Sequence, residues 1–340
     1  MSQDLRTKYH QPRFYYLSEE KQMRISEEIR SKLICPSTKG QLIQNGDRLE
    51  SSLNPNIHYP VVDGIPILID NDRSIFSIAD FADRKDTTFN LKEITPGTIT
   101  ITKIIDKFIP SISTNLKAAE NYSELIKLLP NESKILIIGG SIKGQGMDEI
   151  YANKLFEIIG SDVSFGPETK IISDAHDLPF EEETFDCVIV QAVLEHVLEP
   201  QRCAAEIYRV LKASGLVYAE TPFMQQVHMK QYDFTRFTHL GHRRIFINFE
   251  EINSGPMCGP GMALAWSYTY FLRSFTTSKV IYRGLTLFAR LTSFFLKYFD
   301  YYLIDKPGSY DAASGFFFLG KKSNHCLSDR ELIVMFKGVM

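Results

Sequence analysis

From Lys134 onward, continuous apolar runs alternate with helical periodicity. "KILIIGG", "FEIIGSD", "TKIISDA" and "TFDCVIVQAVLEH" read as strands, a helix falls around "AAEIYRVLKAS", and "GLVYAETPF" reads as a fifth strand. Short apolar strands separated by helices predict a parallel sheet covered on both faces. The expected fold class is α/β with a Rossmann-like sheet. After the strand-like "FINFEEINSGPM" such a sheet calls for one more antiparallel partner, which "ASGFFFLGKK" can supply. Between them lies a stretch of about fifty residues, rich in Phe, Tyr and Leu and read as helical.

Upstream the period changes. In "KLICPSTKGQLIQNGDRLESSLNPNIHYPVVDGIPILID" short apolar runs alternate with Gly, Pro and Asn turns, the pattern of a small β-rich unit. Its expected core is Leu33, Ile34, Leu42, Val61, Val62, Ile65, Ile67 and Leu68. Residues 1–32 read as an arm and a charged helix from Ser18 that packs through Met23, Ile25 and Ile29. Residues 71–130 read as a connector with a turn at Pro96 and a helix over "NLKAAENYSELIKLL". The expected division is 1–32, 33–70, 71–130, a main domain over 131–322 with a helical insertion at about 262–306, and a tail over 323–340.

At 100° per residue, Lys279, Arg283, Arg290 and Lys297 fall within about 40° of one another and draw a basic stripe on an apolar, aromatic cylinder. A spanning helix needs roughly 20 apolar residues without such interruptions. Three readings stay open: a core helix with one wet face, an interfacial helix placing residues 279–304 on anionic lipid, and a lid or homodimer surface.

Composition narrows the class. With 340 residues, 44% of them hydrophobic and 23% charged, the chain supports two or three domains with an ample core. A formal charge of −3 provides no global basic field, so no nucleic-acid partner is expected. Five cysteines without a Cys-x-x-Cys pair assemble neither a disulfide framework nor a local zinc knuckle, and a reducing cytoplasm is the expected compartment. The first thirty or so residues mix charges throughout and lack the apolar core of a secretory signal, so export is not expected.

The chemistry gathers at the strand ends. "ILIIGGSIKGQGMDEI" is a strand breaking into a glycine-rich turn and a helix; Gly139, Gly140, Gly144 and Gly146 allow close approach of the main chain to a ligand. Asp162 closes the second strand 23 residues after Gly139, near the interval of about 20 at which an acid meets ribose hydroxyls. Asp174 and Ala175 follow the third strand, where an adenine edge would lie. A nicotinamide dehydrogenase needs G-x-G-x-x-G, and after Gly144 and Gly146 the sixth position is Glu149.

Taken together, "DAHDLPF", "FDCVIV", "VLEHV" and "EIYRVLKASG" resemble the S-adenosylmethionine-dependent methyltransferases of the type 11 class, similar to ubiquinone-biosynthesis enzymes, over about Lys134 to Phe223. The resemblance implies a seven-stranded class I sheet. It also implies S-adenosyl-L-methionine over the loop of Gly139, Gly140, Ser141 and Gly144, with Asp162 on the ribose, Asp174 and Ala175 on the adenine, and Gln191 lining the site. Where that class carries an acid two positions before its first glycine, this chain has Ile137, and its loop is longer; a noncatalytic cofactor-binding protein is the alternative reading. "LICPSTKGQL" with "YPVVDGIPILI" resembles the zinc-ribbon-like activator module of tRNA and protein methyltransferases. Thr38 stands where the mate of Cys35 would be, the second cysteine pair is absent, and no metal ligand is assigned.

"TPFMQQVHMKQYDFTRFTHLGHRRIF" follows the fifth strand and resembles a segment of methyltransferases of polysaccharide and cell-envelope biosynthesis, which implies a glycan-type or lipid-linked acceptor. Transfer to a hydroxyl needs a proton acceptor. Histidine suits that role near neutrality. His228 is the expected base, Asp233 its orienter or alternative, and His196 a lining residue.

Overall fold

The computed structural model describes residues 23–82 and 110–339. Eleven strands make one sheet: β1 (Leu42–Asn45), β2 (Arg48–Ser51), β3 (Asn54–Val62), β4 (Ile65–Leu68), β5 (Lys134–Ile138), β6 (Glu157–Asp162), β7 (Thr169–Ser173), β8 (Phe185–Gln191), β9 (Leu211–Pro222), β10 (Phe249–Cys258) and β11 (Gly315–Lys322). Their spatial order is β1-β2-β3-β4-β7-β6-β5-β8-β9-β11-β10. From β7 to β9 neighbours run parallel, and β11 enters antiparallel between β9 and β10. The chain winds outward from β5 in both directions, so strand order reverses between β5 and β8, and the crevice beyond those strand ends is where such sheets bind ligands.

Period-2 alternation assigns the central strands to two cores. Leu136 and Ile138 face one side with Val188, Val190 and the helix Pro200–Val210; Ile135 and Ile137 face the other with Cys187, Ile189, Tyr218 and the helix Ala118–Leu128. The helix expected around "AAEIYRVLKAS" lies four residues earlier than its quoted start, because Pro200 opens it in its first turn and Leu211 already pairs with Phe185 as strand.

The β-rich unit continues the main sheet. β4 lies parallel to β7, pairing Ile67 with Ile172 and Leu68 with Ser173. Leu33, Ile34, Ile65, Ile67 and Leu68 are buried, while Leu42, Val61 and Val62 are half-buried. The expected helix from Ser18 begins outside the described residues; within them it is confined to Glu27–Ser31, started by Ser26, whose hydroxyl accepts the Ile29 amide at 3.2 Å. The turn expected at Pro96 also lies outside the described residues.

The insertion before β11 packs Pro260–Arg273 against Lys279–Ser293. Buried Asp300 caps the first of these, accepting the amides of Gly261 at 2.7 Å and Met262 at 2.8 Å. The expected basic stripe does not run unbroken. Hydroxyls of Thr292 and Ser293 bond back to Phe288 and Ala289 carbonyls, and the chain passes into a 3₁₀ segment over Phe294–Phe299. Lys279 and Arg283 face solvent, whereas Arg290 donates to the Pro110 carbonyl at 3.1 Å and Lys297 to that of Ser111 at 2.6 Å. Among the described residues no helix is long and apolar enough to cross a membrane.

Candidate active site

The strand-order reversal opens into a cavity of about 520 Å³, within the range of small-molecule sites. One wall is the glycine loop. Gly139 takes a φ of +74°, its amide and that of Gly140 converge on the Ser161 carbonyl at 2.9 and 3.1 Å, and a Cβ at Gly139 would strike Val193. Gly144 likewise leaves room only for the Gln191 side chain.

Asp162 ends β6 at the cavity edge, and its Oδ2 accepts the Ser141 amide at 2.9 Å. Burial raises its pKa, against the lowering pull of the Ser141, Val163 and Ser164 hydrogen bonds. Asp174 and Ala175 line the same cavity beyond β7. Asp174 is already occupied: Oδ1 accepts the His176 amide at 3.0 Å and lies 2.6 Å from its Nδ1, while Oδ2 accepts the Ser74 hydroxyl at 2.5 Å. Burial raises its pKa, and these bonds outweigh it, so the carboxyl sits below its ordinary value. Asp162 and Asp174 thus share one crevice.

Behind the loop, Gln191 donates to the Gln145 carbonyl at 3.1 Å and to Glu220 Oε2 at 2.8 Å. Glu220 also accepts from Asn115 at 2.9 Å and from the Tyr218 hydroxyl at 2.6 Å. Burial raises its pKa against those bonds. Sequence reasoning did not find Glu220, which has no motif of its own and reaches the loop only through Gln191.

Glu195, His196 and His228 also line the cavity. The two rings meet edge to face with centroids 4.9 Å apart. His196 Nδ1 lies 2.7 Å from the Tyr232 carbonyl, so it carries the proton and leaves Nε2 as a lone pair. Burial, then the neighbouring His228, push the His196 pKa down to about 4. Glu195 is fully buried, neither carboxylate oxygen has a hydrogen-bond partner, and burial pushes its pKa up to about 8. It sat unremarked beside His196 in "VLEHV".

Asp233 does not line the cavity. Its carboxylate is ion-paired with Arg236 and accepts the His228 amide at 2.7 Å. Burial raises its pKa, but Arg236 and that amide overcome it and hold the carboxyl well below its ordinary value. This corrects the expectation of Asp233 as an alternative base: it fixes the loop that carries His228, with its Oδ2 3.5 Å from His228 Nδ1. A further wall comes from the segment after β4, where Ile75 and Phe76 line the cavity and Phe76 stacks on Tyr232 at 5.8 Å.

Residues 150–219 match the family model described as a methyltransferase domain, beginning just beyond the glycine loop and ending within β9. No curated protein sequence matches the chain. Similar solved structures include phosphoethanolamine N-methyltransferase 2 of Haemonchus contortus with S-adenosyl-L-methionine, at 17% identity and a TM-score of 0.43 over 79% of this chain and 63% of that one. Another is geranyl diphosphate C-methyltransferase from Streptomyces coelicolor, at 12% identity and a TM-score of 0.37 over 60% and 74%. The matched segment is that of a methyltransferase domain and the sheet that carries it is Rossmann-like, which supports an S-adenosylmethionine-dependent methyltransferase enzyme.

Proposed function

We propose that the chain is an O-methyltransferase acting on a hydroxyl of a glycan-type or lipid-linked acceptor in cell-envelope or polysaccharide biosynthesis. The observation that carries this reading is the cluster of Glu195, His196 and His228 lining the same cavity as the glycine loop, a proton-accepting wall where an acceptor would sit. The cradle fits the cofactor: Gly139, Ser141 and Gly144 line the cavity while Gly140 packs against Ile137 and Gly160 instead, Asp162 offers its carboxylate to ribose hydroxyls, and Ala175 and Asp174 border the base. Glu220 stands in for the acid that Ile137 replaces, set beside the loop through Gln191, and would hold the cofactor's ammonium. When bound, S-adenosylmethionine supplies an electrophilic methyl group. The protein's own task is to orient the acceptor oxygen, exclude water and receive its proton.

Incorporation of labelled methyl into a panel of envelope glycans and their lipid-linked precursors tests the assignment. A hydroxyl acceptor should be labelled, and His228→Ala should lower turnover about 100-fold with cofactor affinity unchanged. Labelling of amine acceptors alone would refute it.

The insertion supports placement of the enzyme on a cytoplasmic membrane face. No acidic residue occurs between Glu251 and Asp300, while Arg273, Lys279, Arg283, Arg290 and Lys297 fall in that interval. Phe275, Val280 and Tyr302 are each more than 70% exposed. Exposed aromatics with cations and no acids match an anionic bilayer. Flotation with anionic vesicles should carry the protein up, and Lys279→Glu with Arg283→Glu should leave it down; dimerisation without flotation would assign the face to a second copy.

A further inference from the structure

The acceptor wall has the make-up of a metal site. Glu195 is completely buried, with both oxygens unpartnered, a state in which an ionised carboxylate is costly unless a cation faces it. His196 Nε2 lies 3.7 Å and His228 Nε2 3.8 Å from the same Oε1, and all three ligand atoms fall within 4.8 Å of one another. These distances are too long for hydrogen bonds. They are close to the roughly 3.4 Å edge of a tetrahedron whose ligands stand about 2.1 Å from a central ion.

The supporting contacts agree. Metal-bound imidazoles give their other nitrogen to a carbonyl or carboxylate. His196 Nδ1 faces the Tyr232 carbonyl at 2.7 Å, and His228 Nδ1 faces the Gln226 carbonyl at 3.3 Å with Asp233 at 3.5 Å. The His196 Nε2 lone pair is thereby turned toward Glu195; His228 Nδ1 also lies 3.4 Å from Arg236 Nη2, and in the tautomer that donates Nδ1–H to Gln226 its Nε2 lone pair is turned the same way. The three residues come from two segments, the turn after β8 and the loop after β9, and the fold alone brings them together.

We propose that Glu195, His196 and His228 bind one divalent transition-series cation, with its open coordination positions toward the cavity. Two imidazoles and one carboxylate suit zinc, manganese or iron(II) better than magnesium or calcium. The ion would neutralise Glu195 and act as a Lewis acid toward an acceptor hydroxyl, acidifying it so that its proton leaves to water as the oxygen takes the methyl group; in the metal-loaded site His228 is a ligand, and the proton-accepting role given to the cluster above then passes to the ion and water. The role toward the acceptor rests on the O-methyltransferase reading; the site itself does not.

Titration of chelator-stripped full-length protein with Co²⁺, followed by visible absorption, tests it. One equivalent should bind with a ligand-field spectrum of nitrogen and oxygen donors, and Glu195→Gln should weaken binding at least tenfold while S-adenosylmethionine affinity is retained. His228→Asn, on the partly exposed member, should do the same and serves if the buried substitution prevents folding. Equal Co²⁺ affinity in wild type and His228→Asn would overturn the proposal. Cofactor binding, read separately by calorimetry, reports on the methyltransferase reading, so the two can fail independently.

Discussion

Asp162 and Glu195 show how differently two carboxylates of one site are written in a sequence. Asp162 follows an apolar strand at a regular interval from a glycine turn, so its place at the strand end was legible from spacing alone, and the structure puts it on the cavity beside Ser141. Glu195 and Glu220 were not legible, because each acquires its meaning from partners far along the chain: His228 for one, Asn115 and Gln191 for the other. Asp174 was placed correctly at the crevice, but its engagement by Ser74, one hundred residues earlier, had no local signal. Ser74→Ala should release Asp174 Oδ2 and cost about 1 kcal/mol in chemical unfolding. Glu220→Gln should weaken S-adenosylmethionine about tenfold in equilibrium binding; an unchanged affinity would return the ammonium site to the loop carbonyls alone.

The helix His239–Ile245 makes a prediction of its own. His242 has neither ring nitrogen bonded and packs among Phe237, Phe246 and Phe318; burial pushes its pKa down to about 3 and that of His239 to about 4. In the unfolded chain both titrate near 6.5. Above that pH neither state is protonated and the contribution is complete. As pH falls from 6.5 toward 4, the unfolded chain binds protons that the folded one refuses, and stability is lost, by about 3 kcal/mol for His242 at pH 4. His242→Leu should therefore show a smaller fall in melting temperature between pH 7 and pH 4 than wild type; an equal fall would contradict a neutral buried imidazole. At this scale sequence reading did best where periodicity was long: the central strands and the antiparallel return of β10 and β11 came out as expected. It did worst at element ends, where single bonds set the limits. The Ser26 cap sets the start of one helix, and the hydroxyl bonds of Thr292 and Ser293 mark the end of another.

Across the whole molecule, the N-terminal unit and the methyltransferase core share one sheet. Local turn chemistry revealed the β-rich unit, but a sequence pattern cannot state which edge a strand will join, so its pairing with β7 was out of reach. That pairing has a consequence: without β4, the apolar edge of β7 would be left open, and unpaired edges template association. Removal of residues 1–70 should leave a core that elutes as aggregate in size-exclusion chromatography. A monodisperse truncated core would show that the β7 edge needs no cover. The claim on which the rest depends is that the crevice bordered by Gly139, Asp162 and Asp174 holds adenosylmethionine. Calorimetric titration of the full chain and of Asp162→Ala tests it most directly. Saturable one-to-one binding, weakened at least tenfold by the substitution, is the predicted result; equal affinity in both proteins, or no heat with wild type, would contradict it.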